Sequence, residues 1–196
     1  MIKISAILLG AGESKRMGAN KLLLPWKKKT ILQQCFDTLV RSNVKEVVVV
    51  LGGRTKGMEN QFKGRKVKVI MNPHYKRGIS TSMRRGIQVM DPRSEGILLA
   101  FGDMPFLIAR TINSLIEKFA QGKGGIIVPS FEGIKGHPVI FHKRYKEELL
   151  KLEGDVGGRS IIEKYPNDLR LIRVRSQGVV KDIDTWRDYL PAPSSA

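Results

Sequence analysis

Acidic residues are scarce: 18 Asp and Glu stand against 35 Lys and Arg, a formal net charge of +17 over 196 residues. That excess attracts polyanions of every kind, nucleic acid, nucleotides or anionic lipid, and chooses among none of them. Aromatic residues make up only 7% of the chain. They do not alternate with the basic residues, so a dedicated nucleic-acid module is not expected. The single cysteine, Cys35, excludes an internal disulfide; it sits within the apolar spacing Ile31, Leu32, Cys35, Phe36, Leu39, Val40 and reads as the core face of a helix. Long apolar runs are missing too. Ala6 to Leu9 and Val47 to Leu51 fall far short of a membrane span, and Met1-Ile-Lys-Ile-Ser5 lacks a signal-peptide layout. The expectation is a cytoplasmic protein with no membrane partner, one globular unit over residues 1–190 and a loose tail over 191–196.

What the chain does contain is a glycine-rich turn after its first apolar run. Ile2 to Leu9 reads as a buried strand that stops in Gly10-Ala-Gly-Glu-Ser-Lys-Arg-Met-Gly18 and continues to Lys21. Glycines let backbone N–H groups approach an anion, and Ser14, Lys15, Arg16 and Lys21 supply hydroxyl and charge, so the stretch reads as a phosphate cradle at a strand's carboxyl end. A basic turn whose glycines only bend the chain is the alternative. Neither common glycine motif fits. No Gly-Lys-Ser/Thr follows at the P-loop offset, and Lys15 stands where G-x-G-x-x-G needs its third glycine.

The remaining pattern alternates strands and helices. Strands are expected over 46–51, 67–71, 97–101, 126–129, 138–141, 169–174 and 178–183. Helices are expected over 31–41, 79–89, 109–120 and 144–152, with a further one possible over 56–62. Thr30 is placed to cap the first helix. The Val47-Val-Val-Val50 run suits a parallel sheet covered on both faces, and strand, helix, strand opens a doubly wound α/β fold. Ser80, Thr81 and Ser82 begin the 79–89 helix, as in any capped surface helix or an anion-binding one. Asp103 falls just past the 97–101 strand, where a carboxylate suits either a turn or Mg²⁺. Asp182 and Asp184, two apart, would share a face in a strand.

The segment Leu9 to Lys21 resembles the signature L-A-(A/G)-G-x-S-x-R-M-G-x-x-K of the MobA-like molybdenum-cofactor nucleotidyltransferases, within the nucleotide-diphospho-sugar transferase group, with Gly10 in place of alanine. Asn72 to Gly86 resembles the family's N-P-x-(W/Y)-x-x-G-(x)3-S-(L/I/M)-R-x-G segment. Gly102-Asp103-Met104-Pro105 is similar to its G-D-x-P metal motif, Gly136 to Phe141 to G-H-P-(x)2-F, and Gly154 to Arg159 to G-D-x-G-(A/G)-R. Asp182-Ile-Asp-Thr185 resembles D-I-D-T-P-E-D, with Trp186-Arg187 replacing Pro-Glu.

The resemblance implies a single-domain, three-layer, Rossmann-like α/β fold with a mostly parallel sheet and helices on both faces. It implies an enzyme that moves a nucleoside monophosphate from a nucleoside triphosphate to the phosphate of a molybdopterin-type acceptor and releases pyrophosphate. Lys21, Arg16 and Asp103 take the catalytic roles; Leu9, Gly10, Ala11, Gly12, Ser14, Arg16, Lys21, Asn72, Ser82, Arg84 and Gly102 hold the nucleotide. His137, Asp155 and Arg159 face the acceptor, and Asp103 with Asp182 holds Mg²⁺, Asp184 being the alternative to Asp182. Ala11 follows the cytidylyl branch, so CTP is favoured over GTP. A molybdoenzyme or its chaperone is the implied recipient of the product. The competing readings are a GTP-dependent guanylyltransferase, a sugar- or polyol-phosphate nucleotidyltransferase, and a basic, non-catalytic binder of RNA or nucleotides.

Overall fold

The structure, a computed structural model, describes residues 2–12, 14 and 17–190; Arg16 and the tail at 191–196 lie outside the described residues. Strand β1 (Ile4–Gly10) is buried at all seven positions. Pro25–Trp26 (β2) and Lys29–Thr30 (β3) form a small separate hairpin around Lys27, which adopts φ +55°. Helix α1 (Ile31–Val40) opens with a reciprocal cap: Thr30 Oγ1 accepts the Gln33 N–H at 3.2 Å, and the Gln33 side chain accepts the Thr30 N–H at 2.9 Å. Then come β4 (Glu46–Leu51), β5 (Val67–Met71), α2 (Ile79–Val89), β6 (Gly96–Phe101) and α3 (Ala109–Ala120). The last third holds β7 (Ile126–Phe131), β8 (Ile134–Lys135), β9 (Val139–His142), α4 (Lys146–Lys151), α5 (Arg159–Lys164), β10 (Leu169–Arg173) and α6 (Trp186–Tyr189).

The main sheet runs β10-β7-β9-β6-β1-β4-β5, with β8 on β7. Every pairing on that path is parallel except those of β9, which runs antiparallel to both β6 and β7. β1 is its hinge. The chain moves outward on one side through β4 and β5, then crosses to β6 on the other, so the loops after β1 and β6 emerge side by side at the carboxyl ends of adjacent parallel strands.

Alternation along the strands divides the core into two layers. Ile4, Ala6 and Leu8 of β1 pack with α1 and α3 through Leu32, Phe36, Leu39, Ile112 and Leu115. Ile7 and Leu9 pack on the opposite face with Met83 and Ile87 of α2, Leu149 of α4 and Ile161 of α5. Each fully buried Leu or Ile contributes about 1.5–3 kcal/mol, so these two layers are what hold the helices to the sheet. The expected three-layer, mostly parallel architecture is therefore the one observed. A third cluster, Met17, Trp26, Ile31 and Ile183, ties the segment before α6 to the first loop.

Two local expectations are corrected. Residues 178–183 form no strand: Gln177–Val179 is a single 3₁₀ turn, and the polar groups around it bond across strand ends, His137 N–H to Val179 C=O at 2.7 Å and Ile183 N–H to Asp103 C=O at 2.9 Å. Residues 56–62 form no helix either. Two 3₁₀ turns, Gly53–Thr55 and Glu59–Gln61, flank Gly57, whose φ of +92° breaks any helical run. The 154–159 segment, matched above only as a motif, ends in the start of α5.

Candidate active site

The loop after β1 is held in shape by its own polar groups. Ser14 adopts φ +52°; its carbonyl accepts the Met17 N–H at 3.2 Å, and its Oγ accepts the Lys21 N–H at 3.1 Å. Asn20 Oδ1 accepts the Leu22 N–H, and its Nδ2 donates to the Arg54 carbonyl at 2.7 Å. Asn20 thus pins the short turn Lys21–Leu23 against the neighbouring loop. Lys21 is only 8% exposed. Its Nζ lies 2.7 Å from Asp103 Oδ2 and 2.6 Å from Asp184 Oδ1. Burial works against the ammonium, but the two carboxylates prevail and hold it above the ordinary lysine range.

Asp103 leaves the end of β6 in a turn whose Gly102 N–H donates to the Leu9 carbonyl at 3.0 Å. The third strand-end segment arrives through Ile183, whose side chain is buried with Met17, Trp26 and Ile31 while the aspartates flanking it stay near the surface. One carboxylate oxygen each of Asp103, Asp182 and Asp184 lie within 4.8 Å of one another. Partial desolvation, then the charges of Asp184 and Asp103, raise the Asp182 carboxyl above the usual carboxylate range. Asp188 fixes the segment: its Oδ2 accepts the N–H groups of Asp184 and Thr185 and the Thr185 hydroxyl, at 3.2, 2.8 and 2.7 Å.

These groups border a cleft of about 540 Å³. Leu9, Ala11, Gly12, Ser14 and Lys21 line one part of it; Asp103 and Asp184 line another, and Tyr75, Gly78, Ile79, Ser82 and Asp155 close the far wall. Tyr75 lies over Gly53, where a Cβ would stand 3.0 Å from its ring. Gly78 adopts φ +105° and supports the crossing 154–155 segment; a Cβ there would meet the Gly154 carbonyl carbon at 2.2 Å. Asp155 Oδ1 accepts the Ile79 N–H at 3.1 Å, and the Gly154 carbonyl accepts the Ser80 N–H at 3.2 Å, so the start of α2 is capped from outside the helix.

The candidate residues separate into two groups. Leu9, Ala11, Gly12, Ser14, Lys21, Ser82, Asp103 and Asp155 meet at the cleft, with Gly102 in the Asp103 turn; Asp182 joins through its neighbouring carboxylates, and Gly10 ends β1 with its carbonyl accepting the Thr55 hydroxyl. Asn72 is buried, and its Nδ2 donates to Thr81 Oγ1 and Ser82 Oγ, both at 2.9 Å, so it latches β5 to α2 without lining the cleft. Arg84 donates from Nη2 to the Leu152 carbonyl at 2.8 Å and borders a second cavity. Arg159, with a side chain 87% exposed, pairs with Glu163. His137 stacks edge-on against Phe101, ring centres 4.5 Å apart, and Phe101 lines the cleft. Burial depresses the His137 imidazole to about 4 against a small opposing pull from Asp103, so the ring is neutral at pH 7.

Tyr75, Asp188 and Phe101 were not among the candidates. Tyr75 had a signal in the Asn-Pro-x-Tyr run followed by Gly78, and Asp188 in the Thr-x-x-Asp spacing of a capping box. Phe101, a strand residue among apolar neighbours, had none.

A family model described as a MobA-like NTP transferase domain matches residues 6–169. The chain is 28% identical to the molybdenum cofactor cytidylyltransferase of Escherichia coli over 98% of its own length and 96% of the relative's. It is 30% identical to a probable molybdenum cofactor guanylyltransferase of Methanosarcina mazei over 74% of this chain and 65% of that one. The crystal structure of Rv0371c from Mycobacterium tuberculosis superposes with a TM-score of 0.83 at 26% identity, covering 99% and 98% of the two chains. A manganese complex of the same protein gives 0.80 at 25% identity, with 99% of each chain covered.

Proposed function

The chain belongs to the MobA-like NTP transferase family, and from that premise we propose that it is a cytidylyltransferase acting on a molybdopterin-type acceptor. An acceptor phosphate oxygen attacks the α-phosphorus of CTP; the new P–O bond forms as the bond from the α-phosphorus to the bridging oxygen breaks, and pyrophosphate leaves. The observation that carries the reading is the position of Lys21: a buried ammonium between Asp103 and Asp184, beside a glycine turn at the switch point of the sheet. Transfers of this kind need positioning and charge neutralisation more than a protein nucleophile. Lys21 supplies a fixed positive charge for the triphosphate, and Ala11, Gly12 and Ser14 form the surface against which it lies. Ser82 and Tyr75 stand on the wall that would meet the nucleoside.

The three aspartates fit a divalent cation, because they offer hard oxygen donors within 4.8 Å of one another and crowd like charge at Asp182. Asp103 with Asp182, Asp184 or both would hold Mg²⁺. Bound there, the ion supplies Lewis-acid neutralisation of phosphate oxygens. CTP rather than GTP is supported by Ala11 at the branch-specific position of the first motif and by the near full-length similarity to a cytidylyltransferase.

The test is pyrophosphate release with Mg²⁺, molybdopterin cofactor and each of CTP, GTP, ATP and UTP in turn. Release with CTP alone, abolished by Asp103→Ala, supports the proposal. Preference for GTP moves the protein to guanylyl transfer with the same chemistry. Release with none of the four, together with Asp103-independent RNA binding, overturns the enzyme reading.

A further inference from the structure

Helix α2 has two differently equipped flanks. Gly78, Ile79 and Ser82 face the cleft, while Ser80, Thr81, Arg84 and Arg85, related by four-residue steps, border a second cavity of about 360 Å³. Ser80 is 0% exposed, yet its Oγ has no hydrogen-bond partner among the described residues, and neither has the buried Nε of Arg84. Buried polar atoms are nearly always paired, so two orphans on one cavity mark a place where a polar ligand is missing. The charge around them is one-sided. Arg77 and Arg85 add guanidinium groups at the rim beside His74, against a single bordering carboxylate, Glu153.

We propose that this cavity is a second anion site, distinct from the cleft, that takes a phosphoryl group. The first N–H groups of α2 are already used, Ile79 on Asp155, Ser80 on Gly154 and Thr81 on Gly78, so recognition rests on side chains. Three guanidinium groups and a hydroxyl match the several oxygens of a phosphoryl group better than the two of a carboxylate. The cavity is large enough for free phosphate or a small phosphate monoester. Its inner wall is shared with the cleft: Gly154 borders the cavity, Asp155 borders the cleft, and both bond to α2. An occupant therefore bears directly on the segment that closes the first site.

The experiment is calorimetric titration of inorganic phosphate, and separately of glycerol 3-phosphate, into Lys21→Ala protein at 150 mM salt. Lys21→Ala disables the cleft's own anion site. Binding is expected to persist in that background and to weaken about tenfold or more when Ser80→Ala, or Arg77→Glu with Arg85→Glu, is added. Lys27→Glu with Lys28→Glu, an equal charge change on an exposed turn, is the control and is expected to weaken it less than twofold. Ser80→Ala alters no charge and removes a buried hydroxyl without a partner among the described residues, so its unliganded melting temperature is expected to be no lower than the parent's while the phosphate-induced rise shrinks. Tighter binding of either probe identifies whether the phosphoryl group arrives free or attached. Loss of all binding with Lys21→Ala overturns the proposal, as does equal weakening by the Lys27/Lys28 control. Phosphate affinity within twofold of the parent in both the Ser80 and Arg77/Arg85 variants means that only water satisfies the orphans, and overturns it too.

Discussion

The backbone N–H of Ile183 donates to the carbonyl of Asp103 at 2.9 Å. That bond joins the turn after β6 to a segment without regular structure near the end of the chain. It sets Asp182 and Asp184 on either side of a residue whose own side chain is locked in the core with Met17, Trp26 and Ile31. Burial of Ile183 therefore positions the carboxylates, and Lys21 closes the cluster from the glycine turn.

In this arrangement Lys21 competes with any cation for Asp103 and Asp184. Asp103→Asn and Lys21→Met are each expected to lower turnover ~10²-fold or more, the scale of losing one preorganised electrostatic group. Their effects on metal differ in sign. Without nucleotide, Lys21→Met removes a competing positive charge from beside Asp103 and Asp184 and is expected to bind Mn²⁺ more tightly than the parent, whereas Asp103→Asn binds it more weakly. Electron paramagnetic resonance of free Mn²⁺ measures both. Unchanged affinity in the two variants would remove the aspartates as a metal site.

Asp188 reaches the cleft through Asp184 and Thr185, whose N–H groups it accepts. It is a positioning residue. Asp188→Ala is expected to lower Mg²⁺ affinity or activity roughly tenfold, as loss of groups that orient metal ligands does, and raised Mg²⁺ restores part of the loss. Asp188→Asn keeps one accepting oxygen and is expected to be milder. If Mg²⁺ titration restores nothing in the alanine variant, Asp188 acts by some route other than holding Asp184.

His137 couples the site to pH through folding. Its pKa is near 4 when folded and about 6.5 when unfolded, so below pH 6.5 the unfolded chain binds the extra proton first. The stability that its neutral form contributes is intact above pH 6.5 and is lost as pH falls toward 4, to an extent on the order of 2–3 kcal/mol. His137→Gln is expected to flatten urea-unfolding stability across that window. A slope identical to the parent's would mean that His137 is not neutralised by burial.

Much of the fold was legible because local signals agreed with the packing. The Val47 to Val50 run, the Thr30 cap and the spacing of Ile112, Leu115, Ile116 and Phe119 each pointed to the element that formed. The Gly178 to Ile183 stretch misled because its apolar residues are buried by wedging across strand ends: Val179 meets Gly136 and His137, and Ile183 meets the first loop. Periodicity cannot separate that from a strand. At the site, the glycine turn, Lys21 and Asp103 stand at strand ends and could be read from position. Arg84 and Asn72 lie in a matching motif, but Arg84 bonds away from the cleft to the Leu152 carbonyl, an orientation carried by helix phase, and Asn72 stands behind the cleft wall, holding Thr81 and Ser82.

Asp155 presents two roles that one pair of substitutions separates. As a carboxylate on the cleft wall it is placed to meet an acceptor; as the acceptor of the Ile79 N–H it caps α2, a contribution of about 0.5–2 kcal/mol. Asparagine caps nearly as well as aspartate but carries no charge, while alanine does neither. If capping is its work, Asp155→Asn retains both melting temperature and turnover, and Asp155→Ala loses stability. If its charge meets the acceptor, Asp155→Asn keeps the parent melting temperature but changes the KM for the acceptor, with the KM for CTP unmoved. Because the Gly154 carbonyl also accepts the Ser80 N–H at 3.2 Å, the 154–155 segment keeps a bond to α2 without the carboxylate. The expected outcome is therefore full folding in Asp155→Asn, with any loss confined to the acceptor KM.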